Sequence, residues 1–209
     1  MMNKVNYQKA LEDIIEQQGE RVPRVFLHSC CAPCSSYVLE YLSRYFSITV
    51  YYFNPNISPA EEFEKRFEEE KRLISEMKTL HPVSLERGDY NYSDFEKIAK
   101  GYEACPEGGE RCFRCYRLRL EKTAQLAKEK GYDYFCTTLS ISPLKNAQKI
   151  NEIGFEIAEK HGVSWLPSDF KKKEGYKRSI ELSREHNLYR QNFCGCTYSR
   201  AAREIKDEQ

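Results

Sequence analysis

The stretch RVFLHSCCAPCSSYVLEYL, residues 24–42, changes its character halfway. Arg24–Ser29 is a short apolar run with the composition of a buried strand. From near Pro33 to Ser36 onward, Val38, Leu39 and Leu42 recur at helical spacing. A strand turning directly into a helix is the opening unit of a parallel α/β fold. The turn itself holds three thiols in five positions, Cys30, Cys31 and Cys34, and no glycine. Without glycine the backbone cannot close round a phosphate, so nucleotide binding of the usual kind is disfavoured. A helix N-terminus favours anionic sulfur, which suits a thiolate-ligated metal centre.

The rest of the chain repeats this alternation. FSITVYYF (46–53), HPVSLERG, YDYFCTTLS (132–140) and VSWLPS are expected as further strands. A helix is expected over residues 4–18, with Val5, Ala10, Leu11, Ile14 and Ile15 on one side. Another follows NISPAEEF, with Ser58 placed to cap, Pro59 at the first helical position, and Phe63, Phe67, Ile74 and Met77 marking a face. A third starts around Cys112–Cys115 and stops at Gly131, and a fourth carries Ile150, Ile153 and Ile157. The fold class is therefore α/β with a parallel sheet, and ligands are expected at the carboxyl ends of its strands. The expected layout is a single α/β domain over 1–209. It has an N-terminal helical extension (1–22) and a basic, helix-rich C-terminal segment (168–209).

A net charge of +1 excludes a uniformly basic nucleic-acid coat but not local patches. Two are candidates: Lys171, Lys172 and Lys173 with Lys177 and Arg178, and the set Arg111, Arg114, Arg117 and Arg119. The N-terminus has the pattern of no export signal, and no apolar run is long enough to span a bilayer. A cytoplasmic location without membrane association is expected. Nine cysteines, odd in number and clustered, argue against a secreted disulfide framework and for metal or redox chemistry.

CFRC, with Cys112 and Cys115 at a helix start, brings two sulfurs to one side. A parallel sheet can bring that pair to Cys30 and Cys31, and four thiolates suit either zinc or an iron–sulfur cluster. Adjacent cysteines direct their side chains apart, which leans toward the larger cluster. CGC, with Cys194 and Cys196, reads as a redox-active dithiol, or as a third ligand pair or two unrelated thiols. Cys136 reads as packing and Cys105 is ambiguous. His28 lies on the same side of its strand as Cys30, as a donor behind the metal ligands or as a satisfied core histidine.

HSCCAPC, NPNISPAEEFEKR, PEGGERCFRCYRLRL, LSISPLKN and GYKRSIELSREHNLYRQNFCGCTYSR together resemble the cobalamin-independent epoxyqueuosine reductase family, QueH, from about Val25 to Arg203. The resemblance implies a fold similar to the nucleotide α-hydrolase-like (HUP-type) domains, with a metal site in place of their phosphate loop. It implies reduction of epoxyqueuosine to queuosine at the wobble base of tRNA, the last step of queuosine biosynthesis. It implies a [4Fe-4S] cluster whose ligands match Cys30, Cys31, Cys112 and Cys115, a second iron beside it, and a redox-active disulfide matching Cys194 and Cys196. Where the first motif can end in aspartate this chain has Cys34, the candidate ligand of the second iron.

The implied partners are tRNA, bound through phosphate contacts, and an unidentified electron donor. Tyr189 and Tyr198 are candidates for stacking on a splayed anticodon base. Two rivals from other classes stand beside this reading. One is a colourless zinc-stabilised RNA-binding module. The other is a thiol or heterodisulfide reductase that needs no tRNA.

Overall fold

The computed structural model describes residues 5–207. Its elements run α1 (Tyr7–Gln17), β1 (Arg24–Ser29), α2 (Ala32–Leu42), β2 (Ser47–Tyr52), α3 (Ala60–Glu76), β3 (Val83–Arg87), α4 (Tyr92–Ala99), α5 (Glu110–Glu129), β4 (Tyr134–Thr137), a 3-10 turn (Thr138–Ile141), α6 (Ala147–His161), β5 (Ser164–Trp165), α7 (Gly175–Glu185) and α8 (Thr197–Asp207). Lys4, the expected start of the first helix, lies outside the described residues. Val5 precedes α1 and is exposed, so it is not part of the helix's packed face.

All five strands are parallel, in the order β3-β2-β1-β4-β5. The chain winds outward from β1 to one side, then returns to β4 and winds to the other. The crevice at the carboxyl ends of β1 and β4 is thus the switch point where such sheets bind ligands. Alternation along β1 sorts the core. Phe26 faces a cluster with Tyr51, Leu120, Ile150, Ile153 and Trp165, under α5 and α6. Val25 and Leu27 face Leu11, Leu39, Leu42 and Val50, under α1 and α2. α7 packs along α2.

Three local expectations are revised. Ser58 does not cap α3: Pro59 occupies the cap position, and the Ser58 amide donates instead to the Gly195 carbonyl, 2.9 Å away. The buried stripe of α3 is Phe63, Arg66, Glu70 and Leu73, rotated from the aromatic face read from the sequence. The fourth strand ends at Thr137, and the apolar residues after it fold into the 3-10 turn.

Candidate metal and redox centre

Cys30 follows β1 directly, and Cys31 sits at the N-cap of α2 with Cys34 in its first turn. The three sulfurs lie within 4.8 Å of one another, a group that could hold a metal. Cys30 and Cys31 are 3.8 Å apart, and Cys31 and Cys34 2.6 Å. The adjacent sulfurs therefore converge, contrary to the divergence expected of neighbouring cysteines, because Cys31 takes extended backbone at the cap. An edge of about 3.8 Å is also what a tetrahedral ion with bonds of about 2.3 Å presents, so this spacing suits a single ion too. Hydrogen bonds from Cys31 and Cys34 pull the Cys30 thiol well below its ordinary range, against the opposing effect of burial. Burial pushes Cys31 up, and the partner thiols push Cys34 up.

Cys112 and Cys115 lie in the first two turns of α5, where the Gly108 amide donates to Cys112 Sγ at 3.3 Å. Burial raises both thiols, Cys115 to about 12. They line a small cavity together with Cys194 and Cys196. A larger cavity of about 460 Å³ is lined by Cys30, Cys34 and Cys194. Cys194, Glu107 and Lys145 line both and join the two lobes. All nine cysteines are thiols in this structure.

The CGC loop is held from beneath by α3. Arg66 Nη1 donates to the Cys194 carbonyl at 3.0 Å, and Arg66 Nε to Glu62 at 2.7 Å. Gly195 has φ +126°, and a Cβ there would lie 2.9 Å from Ile57 Cγ1 and 3.2 Å from Arg66 Nη1. Only glycine fits this close approach.

Two cations stand among the thiols. Arg119 is buried; its Nε donates to the Cys115 carbonyl and its Nη2 has no partner. Burial lowers its pKa, but Cys115, Cys194 and Cys30 outweigh that and the balance is upward. Lys145 behaves alike: burial lowers it, Cys194, Cys30 and Cys34 raise it, and the net shift is upward. Cysteine thiols, with Tyr116 behind them, are the groups that favour these charges. An anionic thiolate-ligated metal fits that surplus and offers the orphaned Nη2 an acceptor.

His28 is buried, with Nδ1 2.8 Å from Thr137 Oγ1 and Nε2 near the Phe53 carbonyl and Asn54 Oδ1. Burial drops its pKa to about 3. It is a satisfied core histidine that ties β1 to β4 below the site. Cys136 is likewise packed in the core. Glu70, buried on α3, accepts from Ser29 Oγ at 3.1 Å, while Ser29 and Ser35 hydroxyls share a 2.6 Å bond. Its other oxygen has no partner, and burial pushes its pKa up to about 8.

The basic patches are largely spent within the protein. Lys171 pairs with Asp169, Lys173 with Glu12, Lys177 with Glu174, and Arg178 with Glu40, Glu181 and Glu185. Arg111 holds the carbonyls of Tyr102, Glu103 and Cys105, Arg114 pairs with Glu110, and Arg117 pairs with Glu156. The rings of Tyr189 and Tyr198 are occupied too, by Lys65 and Arg111. Arg66, Glu70 and Lys145 were missed from sequence. The NPNISPAEEFEKR and LSISPLKN runs contain Arg66 and Lys145 without singling them out, and the spacing of Phe63, Arg66, Glu70 and Leu73 was the signal for Glu70.

No helix among the described residues is long and apolar enough to cross a membrane. A family model described as Epoxyqueuosine reductase QueH matches residues 25–202. A protein of that name from Staphylococcus epidermidis is 44% identical over 213 residues, spanning 99% of this chain and 89% of the relative. One from Streptococcus pyogenes is 43% identical, over 94% of this chain and 78% of the relative. One from Thermotoga maritima is 36% identical, over 87% and 93%. A parallel α/β sheet with its thiols at the switch point, matched to the family model across both cysteine groups and the CGC loop, places this chain in the epoxyqueuosine reductase QueH family.

Proposed function

We propose that this chain reduces epoxyqueuosine to queuosine at the wobble position of tRNA, in the cytoplasm, using thiol-ligated iron and a redox-active dithiol. The observation that carries this is that Cys30 and Cys34 line one strand-end cavity and Cys112 and Cys115 an adjoining one, with Cys194 and the cation Lys145 lining both.

Converting an epoxide to an alkene consumes two electrons and two protons and releases water. Cys194 and Cys196 match that balance: their thiols give up two electrons and two protons as one S–S bond forms. An external electron donor then restores the dithiol. Cys30, Cys31, Cys112 and Cys115 would hold the [4Fe-4S] cluster and Cys34 the second iron. When bound, this centre would pass the dithiol's two electrons on one at a time and would offer a Lewis-acidic position beside the epoxide oxygen. Arg119 and Lys145 offset the thiolate charge. Arg66 fixes the CGC backbone so that Cys194 borders both cavities. His28 is a neutral imidazole whose Nε2–H donates to the Phe53 carbonyl while Nδ1 faces the Thr137 hydroxyl, so it keeps the strand ends in place and relays no proton to the site.

Anaerobic purification followed by iron, sulfide and zinc analysis tests the assignment. Iron and acid-labile sulfide are expected, with absorbance bleached by Cys112→Ala. Zinc without iron, or absorbance untouched in Cys112→Ala, would overturn it.

A further inference from the structure

The larger cavity is lined in part by an exposed tyrosine. Tyr176, 37% exposed, lines it together with Cys30, Cys34 and Cys194. Its ring enters no ring–ring or cation–ring pair among the described residues. Tyr37 and Tyr41 stack on each other, and Tyr189 and Tyr198 are covered by cations.

The chain invests strain in placing this residue. Lys173 and Glu174, just before it, both have positive φ, 50° and 62°, a region that residues with side chains seldom adopt. Gly175 follows. A Cβ there would lie 2.0 Å from the Phe170 carbonyl oxygen and 2.4 Å from Tyr37 Cε1, so the first turn of α7 is pressed flat against both. Ser179 Oγ then holds the Tyr176 carbonyl at 2.7 Å. Two left-handed residues and one obligatory glycine thus deliver an aromatic ring, without an aromatic or cation partner among the described residues, to the lining of the thiol cavity. Arg190 and Arg203 line the same cavity.

An exposed ring in a cavity lining that also carries guanidinium groups is what a single-stranded nucleic acid recognises. The base stacks on the ring and the phosphates meet the cations. We infer that Tyr176 is the stacking platform for an everted anticodon base, with Arg190 and Arg203 on the flanking phosphates. Tyr176 thereby positions the wobble nucleotide over Cys30, Cys34 and Cys194. This inference rests on the tRNA reading given under Proposed function.

The test is a titration of an anticodon stem-loop RNA, carrying 2-aminopurine at the wobble position, with metal-loaded protein. Fluorescence and anisotropy are read together. Wild type and Tyr176→Phe are expected to quench the probe. Tyr176→Ala is expected to lose the quench and bind on the order of tenfold more weakly. Phe155→Ala, exposed on α6 away from the cavity, is the control and matches wild type. Iron content and circular dichroism establish that each variant is folded. Full quenching and affinity in Tyr176→Ala overturn the inference, as does Tyr176→Phe behaving like alanine, because stacking needs the ring and not the hydroxyl. Turnover of epoxyqueuosine-containing tRNA is measured in parallel. Quenching without turnover by wild type overturns the proposed reaction and leaves the stacking platform. Turnover with an unaffected Tyr176→Ala does the reverse.

Discussion

Replacing Glu70 with glutamine changes one proton-binding group behind the cysteines and almost nothing of their shape. Glu70 is fully buried, bonded to Ser29, and its carboxyl is pushed by burial from the ordinary 4.5 to about 8; Ser35 and Ser29 oppose the rise, and Cys30 adds to it. The native state therefore holds a proton here that the unfolded chain releases. A group whose native pKa is raised contributes its full stability below the unfolded pKa and loses it as pH rises through the native value. Stability attributable to Glu70 thus falls between about pH 4.5 and pH 8, at a limiting slope of about 1.4 kcal/mol per pH unit. Glutamine cannot ionise and is free of this slope. Urea unfolding of both proteins at matched metal loading should show Glu70→Gln gaining about 2 kcal/mol on wild type between roughly pH 6 and pH 8. Parallel pH profiles, or a gain that shrinks with rising pH, would refute the claim that a neutral carboxyl sits behind the thiol turn.

Three further outcomes follow from the same geometry. Arg66→Met leaves Glu62 and the carbonyls of Phe193 and Cys194 without their cation. It should cost about 3–5 kcal/mol in urea unfolding and speed alkylation of Cys194; a cost below about 1 kcal/mol contradicts it. Gly195→Ala meets both a positive φ and Ile57, so a loss of about 1–3 kcal/mol with impaired turnover is expected, and wild-type activity would contradict the close approach. Cys34→Ala should lower the iron-to-sulfide ratio while keeping the cluster absorbance, and Cys34→Asp should restore the ratio; an unchanged ratio in Cys34→Ala removes Cys34 from the second iron.

The strand-to-helix turn at residues 24–42 was legible because its two periods and its proline are local signals, and the parallel order of the sheet follows from the alternation around it. α4 was not, because Tyr92–Ala99 buries only Phe95 and Ala99 and reads as a polar connection. Arg66 and Glu70 were hidden for a different reason. In EEFEKRFEEEKR every charge looks solvated, and only packing against the CGC loop and the Ser29–Ser35 pair selects the two that turn inward. The lysine run misled in the opposite direction. Its cations are adjacent in sequence, but acids from α1 and α2, distant in sequence, meet Lys173 and Arg178. Tyr176 could not be told from the other tyrosines by type or spacing. Its distinction is its place in the lining of the thiol cavity, which exists only once α7 is pressed against Phe170 and Tyr37.

The most direct measurement is single-turnover mass spectrometry on epoxyqueuosine-containing tRNA with reduced, metal-loaded protein. The modified nucleoside is expected to lose the mass of one oxygen atom, Cys194→Ser and Cys196→Ser to abolish the loss, and a disulfide to form between those two cysteines in wild type. An unaltered nucleoside in the presence of a full iron complement would contradict it.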